Sequence, residues 1–199
     1  MRHAALPWFV TALLLWAPQA YGVTVTFDDV STGQNLAYYL QRYGLYMGPG
    51  WEVIDSAGSG WGTPHSGTQC AVWNGNPKYG TAFDFGVDGV SEYSVRSVAA
   101  YFTTQPGVVL EMQGYTASGV IARAGIGDTN GYWTNRYVEI SSAAGDILFV
   151  HIAGVGSSDF RYHFSMDDLT IVPVPEPSPL LALSAFLAPI AGLAIRRRR

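Results

Sequence analysis

Apolar and polar residues alternate from Val23 to Phe27, the period of two that sets one face of a strand against a core. Further β-rich runs occupy residues 69–73, 81–85, 95–103, 108–115, 120–124, 132–140, 147–152 and 160–172. Turn signals separate them: Pro106-Gly107, Ser118-Gly119, Asn130-Gly131 and Ala144-Gly145. Short strands at regular spacing, without long helical periods, predict an all-β domain, an antiparallel β-sandwich or barrel. One segment, residues 36–43, reads equally as helix, loop or strand, because Gly44 and a high aromatic density follow.

Both ends of the chain depart from this pattern. Arg2 precedes an apolar run from Leu6 to Trp16, and small residues follow at Ala17, Ala20 and Gly22. That run is too short to span a bilayer, which needs about 20 apolar residues. With the small residues after it, it reads as a secretory signal peptide over residues 1–22, with the mature chain starting near Val23. The domain then covers 23–172. At the other end, four prolines between Pro173 and Pro179 make a stiff, solvated spacer. An apolar stretch over 180–195 follows, about 24 Å long as a helix at 1.5 Å per residue. Four arginines, Arg196, Arg197, Arg198 and Arg199, close the chain and would be retained on the cytoplasmic side of a membrane.

Composition narrows the function. Residues 23–172 hold 14 acidic and 6 basic side chains, a formal charge of −8. A nucleic-acid partner requires basic patches and is excluded on this ground. Cys70 is the only cysteine, so no intrachain disulfide forms, and its apolar surroundings mark it as a buried small hydrophobe. None of the short catalytic signatures is present: no nucleophile elbow, zinc-binding histidine pair or phosphate loop. Glu111 and Glu139 are available to a glycosidase, but nothing in the sequence brings them together. His65, lying between Pro64 and Ser66-Gly67, reads as a loop buttress. These features predict a protein without enzymatic activity.

The tail, with Val174, Pro175, Glu176 and Pro177 ahead of the apolar stretch and arginine cluster, resembles the PEP-CTERM sorting signal of Gram-negative bacteria. The resemblance covers about 25 residues at the C-terminus. It implies processing by an exosortase near Pro175-Glu176-Pro177, after signal peptidase has acted at the other end. The chain would pass through an inner-membrane intermediate to the cell surface or extracellular matrix. Within the domain, Thr26-Phe27-Asp28-Asp29, Pro64-His65-Ser66-Gly67, Gly114 to Gly119 and Phe164 to Leu169 are similar to jelly-roll domains of the galactose-binding-like kind. That likeness implies the jelly-roll form of the sandwich and, as a second function beside that of a matrix protein, binding of an extracellular polysaccharide.

Two constellations carry the candidate chemistry. Asp28, Asp29, Asp167 and Asp168 meet if the first and last strands are neighbours, and together suggest a structural calcium ion, which takes six to eight oxygen ligands. Strand alternation places one member of each pair on each face. The other reading of these aspartates is that they accept hydrogen bonds from backbone amides of turns. Trp61, in a glycine-rich loop, and Trp133, beside Asn130-Gly131, are candidates to stack on a sugar ring.

Overall fold

The computed structural model describes residues 22–56, 63–74, 81–87, 90–91, 93–126, 133–155 and 164–174. The segment read as a signal peptide as far as Tyr21, the tail from Pro175 onward, Trp61 and the Asn130-Gly131 turn signal lie outside them. Thirteen strands and one helix follow in order: β1 (Val23–Val25), α1 (Leu36–Gln41), β2 (Tyr46–Met47), β3 (Trp51–Asp55), β4 (Gln69–Trp73), β5 (Thr81–Asp84), β6 (Gly86–Val87), β7 (Val90–Ser91), β8 (Val95–Thr104), β9 (Val109–Thr116), β10 (Gly119–Ile126), β11 (Trp133–Ser141), β12 (Phe149–Val155) and β13 (Phe164–Pro173). They build an antiparallel β-sandwich. One sheet has six strands, ordered β11-β8-β13-β4-β3 with β1 also on β13; the other has five, ordered β10-β9-β12-β5-β2. β6 and β7 form a separate small hairpin.

Local chemistry sets the elements. Pro106-Gly107 turns β8 into β9, with Val108 N–H donating to Gln105 O at 3.2 Å and Gly107 at φ +82°, where a side chain is disfavoured. Ala117-Ser118 turns β9 into β10, Thr116 Oγ1 accepting Ser118 N–H at 3.1 Å. The ambiguous 36–43 segment is helical only over Leu36–Gln41. Asn35 caps it by accepting Ala37 N–H at 2.8 Å, and Gly44 at φ +68° follows the chain's exit. β3 went unpredicted; its buried Trp51 and Val53 alternate with half-buried Glu52 and Ile54.

The core is the space between the sheets. Val98, Ala100, Phe102, Val138, Ile140, Phe164 and Met166 face Leu110, Met112, Phe83, Val150 and Ile152 across it. Trp51 meets Phe164 edge-on, with centroids 5.7 Å apart at 82°. Each such side chain contributes about 1.5–3 kcal/mol by leaving water. Gly114 lets the sheets approach: a Cβ there would stand 3.0 Å from Ile140 Cδ1.

The first and last strands are neighbours, which meets the condition for the aspartate pairs to approach. Val23, Thr24 and Val25 pair with Ile171, Thr170 and Leu169. Strict alternation through the Asp167-Asp168 pair is not observed. Phe164 and Met166 face the core, but so do Leu169 and Ile171, because the register with β8 shifts between Asp167 and Thr170 and Asp168 adopts φ +48°. A bulge of this kind re-aims side chains. Here it turns both carboxylates to one side.

Candidate functional site

The buried polar residues Ser97, Thr103, Ser165 and Asp167 share a location: all stand on the outer face of the six-stranded sheet. Part of that face is covered by the connection between β3 and β4, whose described part is Thr63–Thr68. Ser56 closes its base, N–H and Oγ both donating to Thr68 O at 3.0 Å. Beneath it lie Cys70, Val72 and Ile54, a second small apolar cluster. Burial pushes the Cys70 thiol up to about 11, consistent with the inert hydrophobe expected.

Acidic residues fasten this strap. Asp28 Oδ1 accepts Thr68 N–H at 2.9 Å and Gln69 N–H at 3.2 Å. Asp167 accepts Ser66 N–H and Asp168 N–H, each at 2.8 Å. Asp168 accepts the Ser66 hydroxyl at 2.6 Å, and its other oxygen meets His65 Nδ1 at 2.6 Å. The His65 ring stacks on Tyr101 of β8 at 3.4 Å and 9°. Asn135, at φ +48° in the β11 bulge, donates from Nδ2 to Thr63 O at 3.1 Å. His65 is the buttress its sequence context suggested. Burial, with the neighbouring Asp168 and Asp28 charges adding, raises the Asp167 carboxyl to about 6.

Three of the four expected calcium ligands are thus brought to one loop, and the fourth is not. Asp29 turns away to accept the Tyr39 hydroxyl and to pair with Arg42 at 2.7 Å; Tyr39 and then Arg42 hold its carboxyl below the usual range. The Arg42 guanidinium lies 3.7 Å over the Tyr39 ring. Asp28 Oδ1 and both oxygens of Asp167 and Asp168 have hydrogen-bond partners. Among the described residues no three acidic, histidine or cysteine side chains are grouped to hold a metal ion. In this arrangement the three carboxylates accept hydrogen bonds from the strap, the role that turn aspartates commonly take.

The outer face of the five-stranded sheet has a different character. Val120, Tyr115, Phe149, Asp84 and Tyr46 are register partners in one row across all five strands. Tyr115 and Phe149 stack at 4.5 Å and 8°. Behind them runs a polar chain along β9. The Tyr115 hydroxyl donates to Gln113 Oε1 at 2.7 Å, Gln113 Nε2 donates to Glu111, and Arg123 reaches Glu111 at 3.4 Å. His151 is the register partner of Gln113. These residues are half-buried or exposed, whereas Leu110, Met112 and Gly114 between them are buried. Glu111 and Glu139 lie on the outer faces of different sheets, so the sandwich separates them.

Neither sugar-stacking tryptophan expected from the sequence can be placed. Trp61 lies outside the described residues, and Trp133 is described only as the backbone start of β11, paired with Thr104. Sequence reading missed Tyr115, Phe149, Gln113, Glu111 and Arg123 as a group. The available signal was the alternation in 109–116, whose outward positions carry a glutamate, a glutamine and a tyrosine in succession.

No protein-family model matches the sequence, and no curated protein matches it. Solved structures do. The K2 cleaved adhesin domain of Lys-gingipain is 14% identical with a TM-score of 0.50, over 76% of this chain and 99% of that one. The tandem CBM22 modules of Paenibacillus barcinonensis Xyn10C are 15% identical with a TM-score of 0.46, over 82% and 48%. CsCBM6-3 from Clostridium stercorarium, solved with cellobiose, is 15% identical with a TM-score of 0.37, over 76% and 94%. At these identities the likeness is one of fold, and the adhesin domain carries it. The chain is a jelly-roll-type β-sandwich.

Proposed function

We propose that this is an exported, non-catalytic adhesin-type module that binds a neutral extracellular polysaccharide on the outer face of its five-stranded sheet. One observation carries the reading: an aromatic pair, Tyr115 and Phe149, stands beside an oriented polar chain on the outer face of the five-stranded sheet. A pyranose ring has apolar faces and a hydroxyl rim. Ring stacking binds the faces, and fixed donors and acceptors read the rim. Because Tyr115 fixes Gln113 and Arg123 and Gln113 fix Glu111, little side-chain freedom is lost on binding. The acidic balance of the domain disfavours polyanions. The adhesin-like fold is compatible with this role, and the absence of catalytic signatures in the sequence supports a binding function.

Sorting belongs to the same proposal. The signal segment over 1–22 and the tail from Pro173 would deliver the domain to the cell surface or matrix through signal peptidase and an exosortase. Mass spectrometry of the protein recovered from its native surface tests this, with termini expected near Val23 and near Pro175-Glu176-Pro177; an uncut chain in the cytosol contradicts it. Binding is tested by affinity gel electrophoresis against soluble β-glucan, xylan and the cell's own exopolysaccharide. Replacing both Tyr115 and Phe149 by alanine is expected to weaken retention at least about tenfold, the equivalent of about 1.4 kcal/mol. Retention of none of these polymers by the unaltered chain overturns the proposal.

A further inference from the structure

The outer face of the six-stranded sheet holds a second aromatic platform beside the described part of the strap. Tyr137 is 55% exposed, while its β11 neighbours Val138 and Ile140 are buried in the core. The ring contributes little to the fold where it stands, yet it is held at both ends. Its hydroxyl donates to Glu139 Oε2 at 3.1 Å, and its ring packs on Tyr101 with centroids 5.3 Å apart at 58°. Tyr101 is in turn stacked on His65, which Asp168 holds. Tyr137, Tyr101 and Asp167 are register partners across three strands.

An exposed tyrosine ordinarily samples several rotamers and loses that freedom when a ligand stacks on it. This one is ordered in advance by a chain of contacts running down to the strap, so less is lost on binding. The groups around it choose the ligand. Glu139 offers carboxylate oxygens to hydroxyl donors, and its negative charge repels uronates, sulfates and phosphates. A neutral pyranose meets both conditions.

We infer that Tyr137 and Glu139 form a second site for a neutral polysaccharide, on the opposite side of the sandwich from Tyr115 and Phe149, so that one molecule bridges two polymer strands. The inference rests on the polysaccharide-binding reading of the first face and adds the consequence of having two. The outer faces of packed sheets point apart, with the sheets themselves about 10 Å apart. One sugar ring cannot reach both, and two separate strands can. Bivalency turns weak sites into a durable cross-link through effective concentration.

The test compares binding with bridging, using the full chain in a non-glycosidic detergent and a soluble neutral polysaccharide that it retains in affinity electrophoresis. Unaltered protein is expected to raise the viscosity of the polymer solution and to increase its scattering size, with no change when polymer is omitted. Tyr137→Ala and, separately, Glu139→Gln are expected to keep retention within about threefold while abolishing the viscosity rise, because only bridging is lost. Both positions are on the surface, and an unchanged circular dichroism spectrum confirms folding. Equal bridging by Tyr137→Ala, or retention by the unaltered chain without bridging, overturns the second site and leaves the first standing. No retention of any polymer removes the first reading and the second site with it.

Discussion

Gly67 is the tightest point of the strap, and replacing it by alanine puts the anchoring scheme to a quantitative test. Gly67 sits at φ +52°, where a side chain costs about 1–2 kcal/mol. The new Cβ would stand 1.9 Å from Asp28 Oδ1 and 2.1 Å from its Cγ, far inside contact. The carboxylate must therefore leave, surrendering the N–H groups of Thr68 and Gln69. Both bonds lie at the surface, where each is worth about 1 kcal/mol. Gly67→Ala should then cost about 3–4 kcal/mol, a large share of the 5–15 kcal/mol by which a domain is folded. Asp28→Ala alone should cost about 2 kcal/mol for the same two bonds. In the double variant the clash has no partner and the bonds are already gone, so the pair together should cost only about 3–4 kcal/mol. The coupling, about 2 kcal/mol short of additivity, is the signature of direct contact. Urea denaturation followed by far-ultraviolet circular dichroism measures all three variants. Additive costs, or a Gly67→Ala variant as stable as the parent, would refute the proposed packing of strap on carboxylate.

Three further outcomes follow from the same structure. Asp167 titrates near 6 when folded and near 3.8 when unfolded, so its protonated form is favoured by folding. Its contribution is full below about pH 4 and is lost as pH rises through about 6, up to about 3 kcal/mol. Asp167→Asn should flatten the stability difference between about pH 5 and about pH 7, and an unchanged slope in the variant would contradict the assignment. The carboxylates of the strap are met by hydrogen-bond donors, so dialysis against EDTA should move the melting temperature by no more than about 1 °C; a fall of several degrees restored by calcium would reinstate a metal there. Thr104 Oγ1 is buried without a hydrogen-bond partner among the described residues, so Thr104→Val should raise stability by about 1 kcal/mol in thermal melts, whereas a loss would reveal a partner.

Much of the sandwich could be read from residue order alone. The β9–β10 hairpin announced itself through β-rich runs on both sides of Ser118-Gly119, and β8–β9 through Pro106-Gly107, because hairpins depend on local chemistry. The jelly-roll resemblance allowed the first and last strands to be adjacent, and they are. The direction of the Asp167-Asp168 pair was not legible. A bulge at Asp168 with φ +48° arises from fitting β13 between β8 and β1, and nothing in the dipeptide declares it. Likewise Tyr115 and Phe149 come together only through the β9–β12 pairing. A tyrosine in mid-strand carries no local mark of a binding role, whereas a tryptophan beside glycine does, which is why Trp61 and Trp133 stand out in the sequence. The short β2, β6 and β7 contain two residues each, too few to establish a period.

Glycan is proposed to meet the five-stranded sheet at Tyr115 and Phe149. Hydroxyl-radical footprinting of the full chain, with and without a saturating neutral polysaccharide, maps that contact residue by residue. Oxidation of Tyr115 and Phe149 is expected to fall when the polymer binds, while that of Trp51, buried in the core, is unchanged. Binding that leaves Tyr115 and Phe149 as reactive as before, with protection confined to Trp61 and Trp133, would contradict the proposed contact.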